Sequence, residues 1–396
     1  MNTKKRIYLL IILITVILTF LCGCNKKESS NNNTVVTYER NSYSKNGMII
    51  YEGGLLAYYD YKTGERSVIC SRPECTHQKY NSQTNPDPSC AAVPPKQTIF
   101  EAAVIINDYL YMFVLPSEIN KMDIYKSDLD GENRIKVGQV NCGGIADKAI
   151  VCENFFIFTG KELTKKDNED ELSVSTFQVK YFTGILDINT LELFHIESYE
   201  KHRMSQNFYV YNNILHYYYM DEDVYEIRRV NLSDITVLEP LSLPMKNEQE
   251  KAYCVMDKGY MYYIKDDLIQ SSADIRRIDL MTLEDEVFIS GIEIQDGTLI
   301  GISDKYFFIC NNESNIPDEE KWKFIIYDSD EKTIDIYDMS YSGVQTRLAT
   351  HLINLNGEYI LLYKYIEGNM HASYRYMKIE SLINKSYDFV DTDVIY

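Results

Sequence analysis

One phrase recurs along this chain and limits its folds more than any other feature: a polar turn, then a strand rich in aromatic residues. It reads NGMIIY from Asn46, NDYLYMF from Asn107, ENFFIF from Glu153 and NNILHYYY from Asn212. It returns as DKGYMYYI from Asp257, DKYFFIC from Asp304 and NGEYILLY from Asn356. Seven copies at a period of roughly 50 residues are the mark of a repeat architecture. After each copy a strand ends in an acidic or amide turn and another begins, as in AYYDYKTGERSVI and IRRIDLMTLEDEVFI. The turn residue is Asp60, Asp128, Asp187, Asn231, Asp279 or Asp328. Asp and Asn suit such turns because their side chains bond the local backbone. The last copy, YRYMKIESLINKSYDF, keeps the strand pattern and lacks the Asp.

Most copies are also preceded by an apolar strand, such as TIFEAAVII, ADKAIVC or GTLIGIS. One repeat is therefore four strands, A to D. No stretch sustains helical apolar periodicity, and β-branched and aromatic residues fill the runs. Four-stranded units repeated radially make an all-β fold, a β-propeller of four-stranded blades. The count predicts seven blades, with six or eight left open by inserts. Blade one has no clear strand A. TVVTYER (34–40) or DTDVIY (391–396) is expected to supply a strand and close the ring.

The stretches YYDYKTGE, MYYIKDD and RRIDLMTLE resemble extracytoplasmic propellers of the TolB-like and low-density-lipoprotein-receptor (YWTD-like) type. The similarity is greatest to lipid-anchored bacterial propellers of Gram-positive bacteria, a family of unknown function. It spans roughly residues 46–390, and the YWTD tetrapeptide itself is absent. What it implies is a fold, not a chemistry.

In antiparallel blades the A–B and C–D turns share one end of the disc; the B–C and D–A loops share the other. The A–B and C–D turns are short and uniform. The variable segments, 160–175 and the one holding Trp322, fall in B–C loops, and residues 69–92 form a D–A connection. Variable loops on a rigid scaffold are the usual binding surface, so the B–C/D–A face is the expected working face. Trp322 and His371 are its candidate contact residues.

The D–A connection ICSRPECTHQKYNSQTNPDPSCAA holds Cys70, Cys75, His77 and Cys90, spaced C-x4-C-x-H-x12-C. Three sulfurs and one imidazole can fill a tetrahedral zinc site, and four ligands make it structural, not catalytic. A disulfide among the three cysteines is the alternative, with free thiols the third reading. Cys142, Cys152, Cys254 and Cys310 lie in or beside strands and read as buried apolar residues. No G-x-S-x-G, H-E-x-x-H or P-loop occurs. His351 and the acidic clusters at 221–223, 266–267 and 318–320 read as structural or solvated groups, not as a catalytic set.

The first 23 residues read as a lipoprotein signal peptide. Lys4, Lys5 and Arg6 precede an apolar run too short to span a bilayer comfortably. Leu21-Cys22-Gly23-Cys24 then resembles a bacterial lipobox, which implies cleavage before Cys24 and a lipid on its sulfur. Residues 24–40 are the lipidated cysteine and a polar tether, and 41–396 the propeller. The expected location is the outer face of the cytoplasmic membrane.

Net charge is −19, with no basic run, which argues against nucleic acid as a partner. The expected function is a surface-anchored, non-enzymatic propeller that binds a protein, peptide or glycan through the loop face. The alternative is an exported glycan-acting hydrolase or lyase with carboxylates at the channel mouth.

Overall fold

The computed structural model describes residues 35–38, 40–44, 46–96, 98–165, 177–199, 208–221, 224–242, 254–267, 272–292, 297–311, 323–338, 353–355, 359–364, 373–386, 388 and 390–391. These residues form seven antiparallel four-stranded blades and one extra strand, β1 (Val35–Tyr38). Blade one is β2 (Asn41–Tyr43), β3 (Gly47–Glu52), β4 (Leu55–Asp60) and β5 (Arg66–Val68). Blade two is β6 (Ile99–Ile106), β7 (Tyr109–Leu115), β8 (Met122–Ser127) and β9 (Ile135–Val140). Blade three is β10 (Ile145–Cys152), β11 (Phe155–Lys165), β12 (Phe177–Asp187) and β13 (Glu192–Tyr199). Blade four is β14 (Phe208–Tyr211), β15 (Ile214–Asp221), β16 (Val224–Asn231) and β17 (Thr236–Ser242). Blade five is β18 (Val255–Asp257), β19 (Tyr260–Asp267), β20 (Ser272–Asp279) and β21 (Asp285–Ile292). Blade six is β22 (Gly297–Ser303), β23 (Tyr306–Asn311), β24 (Lys323–Asp328) and β25 (Thr333–Asp338). Blade seven is β26 (Ile353–Leu355), β27 (Tyr359–Lys364), β28 (Ser373–Lys378) and β29 (Val390–Asp391).

The recurring aromatics do the packing between blades. Ile49 and Leu56 of blade one meet Phe100, Leu110 and Met112 of blade two. Phe113 of blade two stacks on Phe156 of blade three at 4.2 Å. Ile157 and Ile185 pack on Leu215 and Tyr217, and Tyr218 and Ile227 on Met261 and Tyr263. Tyr262 of blade five meets Phe307 of blade six edge-on at 5.6 Å. Tyr376 of blade seven closes the ring against Tyr59 at 5.4 Å and Tyr61 at 5.1 Å of blade one. A propeller blade has two sheet faces to cover, so this alternation of large side chains supplies its core.

The turn residues act as their chemistry dictates. Asp279 Oδ1 accepts the N–H groups of Met281 and Thr282 at 2.8 and 2.9 Å. Asp60 and Asp328 repeat the pair of bonds, and Asp187 and Asn231 make the first of the two. Asp128 differs: its Oδ2 accepts the Asn133 side-chain amide instead. In blade seven the turn is replaced by a short helix, α1 (Ile379–Ile383), with Ile379 and Leu382 buried.

Two expectations about ring closure are revised. Strand A of blade one is the short NSY segment, β2, which no apolar run announces. TVVTYER supplies β1, which belongs to no blade. It pairs with β2 on one side and with β10 on the other, joining blades one and three into a nine-stranded sheet. Both partners are innermost strands, so β1 runs inside the central channel. Of DTDVIY only Asp391 is described: it ends β29, the outermost strand of blade seven, and residues 392–396 lie outside the described residues. The candidates Cys24, Trp322, His351 and His371 lie outside the described residues, as do the insertions at 166–176 and 312–322.

Candidate metal centre

The connection from β5 to β6 is ordered by its own polar residues. Asn81 Oδ1 accepts the N–H groups of Gln83 and Thr84 at 2.9 Å each, and Asn85 Nδ2 donates back to Lys79 O at 3.0 Å. Its last part joins blade one: Leu56 N donates to Ala92 O at 2.8 Å. Cys90, Ala92 and Val93 bury a small apolar floor against Leu55, Val68, Cys70 and Cys75.

This folding brings the four sequence candidates together. One ligand atom from each of Cys70, Cys75, His77 and Cys90 lies within 4.8 Å of every other. Cys90 Sγ stands 3.6 Å from His77 Nδ1. With zinc–sulfur bonds of about 2.3 Å and zinc–nitrogen bonds of about 2.0 Å, a tetrahedron has edges of about 3.5–3.8 Å. The separation fits that edge. The three sulfurs stand as free thiols. His77 adopts a φ of 52°, in the left-handed region, and its own N–H points at Cys75 Sγ at 3.4 Å.

The thiols are not alike. Burial pushes Cys90 up to about 12. Burial acts on Cys70 in the same sense, but N–H groups of Arg72 and Ala91 donate to its sulfur and hold it below the usual thiol value. Such donors stabilise thiolate sulfur and take the part of a second shell.

The surroundings add residues that sequence reasoning missed. Arg134, on the C–D turn of blade two, donates from Nη1 to Val93 O at 2.6 Å and from Nη2 to Ala91 O. Desolvation pulls its pKa down, and the neighbouring Cys90 and Glu132 partly offset this. Arg72 bridges from Ser89 O at 2.8 Å to Glu132 at 2.6 Å, and Ser71 donates to Asp130 at 2.7 Å. Gly131, at φ 81°, lets this turn approach: an added Cβ would sit 2.8 Å from Ala91 O and 2.9 Å from Ile69 O. At its other end the loop lies over the B–C turn of blade one, where Lys79 covers Gly54. The loop is therefore an element of the rim between blades one and two, not of the loop face alone.

At the B–C/D–A end of the channel the notable acid is Glu101 on β6. Burial raises its pKa, and Oε2 accepts Ile145 N–H at 2.7 Å. Its charged neighbours are the cations Lys161 and Arg40.

Among solved structures the chain is similar to an oligogalacturonate lyase from Vibrio parahaemolyticus. The identity is 14%, covering 87% of this chain and 90% of that one, with a TM-score of 0.50. The β-propeller domain of the Trilobed protease from Pyrococcus furiosus is 11% identical over 72% of this chain and 82% of that one, TM-score 0.41. An uncharacterized protein from Listeria monocytogenes is 9% identical over 72% and 81%, TM-score 0.42. The likeness is one of fold, a β-propeller of four-stranded blades. No family model matches, and no curated protein matches.

Proposed function

We propose that this chain is an exported, lipid-anchored propeller that works by binding a protein, peptide or glycan, with Cys70, Cys75, His77 and Cys90 holding one structural zinc ion. The observation that carries the binding reading is β1, which pairs with β2 and β10 inside the channel. β1 lines the inner edges of blades one and three, on the channel side where groups from several blades would have to converge for catalysis. The zinc reading rests on the four converging ligand atoms and the apolar floor beneath them. With every ligand position filled by protein, such a metal staples the loop and activates no water.

The competing reading is a glycan-acting hydrolase or lyase. Hydrolysis by paired carboxyls needs them about 5–10 Å apart, and Glu101 is flanked by cations instead. Two measurements separate the readings, the first on the purified chain starting at Asn25 and the second on the full-length protein. Oligogalacturonide and cell-wall glycan are expected to be left uncut. A photo-cross-linking residue at exposed Ser117, on the loop face, is expected to give discrete adducts in cells, and one at Lys62 none. Cleavage that disappears in Glu101→Gln would replace binding by catalysis.

A further inference from the structure

We propose that the anchor fixes the orientation of the disc: the face of A–B and C–D turns lies toward the bilayer, and the B–C/D–A face points outward. The inference rests on the reading of Cys24 as the lipidated residue and adds to it which surface a partner can reach.

The direction of β1 carries the argument. Every strand A runs from the D–A end to the A–B end of the disc. β1 is antiparallel to β2, with Val36 opposite Tyr43 and Tyr38 opposite Asn41. It is also antiparallel to β10, with Val35 opposite Val151 and Thr37 opposite Ala149. Both registers place Val35 toward the A–B end of the channel, with the strand running from there toward the loop face. Residues 39–40 turn the chain back into β2, with Arg40 at φ 69°. The described chain therefore begins, at Val35, at the short-turn end of the channel.

Chain length decides whether it could double back. Eleven residue steps separate Cys24 from Val35, and fully extended they reach at most about 36–40 Å. Anchoring with the other face down would require crossing four strand spacings, about 19 Å, and the outer side chains of the rim. The path would then descend the height of an eight-residue strand, about 26 Å. The sum exceeds the reach of those eleven steps, and a random-coil tether of that length would average only about 18 Å. Lys26 and Lys27, directly after the lipidation site, suit a position at anionic head groups. The acidic turn face, with Asp60, Asp187 and Asp279, is screened beyond about 8 Å at physiological salt, a stand-off within that tether's span.

The test uses full-length lipidated protein on vesicles of phosphatidylglycerol and phosphatidylethanolamine with a head-group energy acceptor. A donor dye is attached through an azide-bearing amino acid at Asn189, in the C–D turn of blade three, or at Ser117, in the B–C loop of blade two. Both positions are exposed. Flotation with the vesicles, lost in Cys24→Ala, reports the anchor separately. The expected result is flotation with at least threefold stronger transfer from position 189 than from 117. Flotation with equal or reversed transfer overturns the orientation alone. Failure of the wild-type protein to float overturns the anchor reading and the orientation with it.

Discussion

Arg134 tests how the cysteine loop is held to the ring. Arg134→Met keeps most of the apolar stem and removes the guanidinium that donates to Val93 O and Ala91 O. Ala91 and Val93 are 7% and 5% exposed, so water does not readily replace the lost donor. An unsatisfied buried acceptor costs about 1–3 kcal/mol, giving about 2–6 kcal/mol for two. The guanidinium is itself largely desolvated, and relief of that penalty offsets part of the loss, leaving about 2–3 kcal/mol. A propeller of about 360 residues has an unfolding entropy near 0.75 kcal/mol per degree, so Tm should fall by about 3–4 °C. Calorimetric unfolding at fixed zinc concentration measures this. Arg134→Lys should recover no more than about half, since one ammonium does not reproduce the fork that reaches both carbonyls. A Tm for Arg134→Met within a degree of wild type, with unchanged zinc affinity, would refute the clamp.

Three further perturbations probe other parts of the account. Gly131→Ala forces a Cβ against two carbonyls at positive φ; it should lower stability by at least 1–2 kcal/mol and weaken zinc retention, read by chelator competition. Asp279→Ala removes the acceptor of two turn N–H groups and should cost about 1 kcal/mol in chemical denaturation, with no effect on bound metal. His216 is fully buried, and desolvation, with Arg229 beside it, brings its pKa down to about 4. The folded state therefore resists protonation that the unfolded chain accepts near 6.5. Stability should fall by up to about 3 kcal/mol as pH drops from about 6.5 to about 4. His216→Leu should flatten that part of the stability–pH curve, and an unchanged slope would show that His216 is not its source.

The ring was legible because its determinant is local. The aromatic phrase recurs in each blade and the Asp or Asn turn in six of them, and each occurrence predicts its own strands without knowledge of the neighbours. What failed to show was short or dependent on the assembled ring. β2 is three residues, Asn-Ser-Tyr, whose burial comes from its place at the centre rather than from apolar content. β1 reads as an ordinary strand, and only the inner edges of blades one and three give it two partners. IESLI lies in a segment that keeps the strand pattern in sequence, whereas it forms a helix that buries Ile379 and Leu382, three apart.

The candidate site shows the same division. Cys70, Cys75, His77 and Cys90 stand close in sequence, and their residue types announce a ligand set. Arg134 and Gly131 are more than 40 residues beyond and reach the loop only because blade two returns its C–D turn to that rim. No spacing rule marks an arginine or a glycine as a clamp. The two rigid-loop residues that hydrogen-bond locally, Asn81 and Asn85, follow turn chemistry that any reading of the segment contains.

The claim that the rim loop is held by a metal is tested most directly by metal content and thiol count on the same sample. The chain from Asn25 is purified natively without oxygen or added zinc, then divided between elemental analysis and thiol titration before and after chelation. The account predicts one zinc per chain, thiols at Cys70, Cys75 and Cys90 that react only after chelation, and loss of the metal in Cys90→Ser. A metal-free chain with two thiols missing from the count, restored by reductant alone, would contradict it and make the loop a disulfide clip.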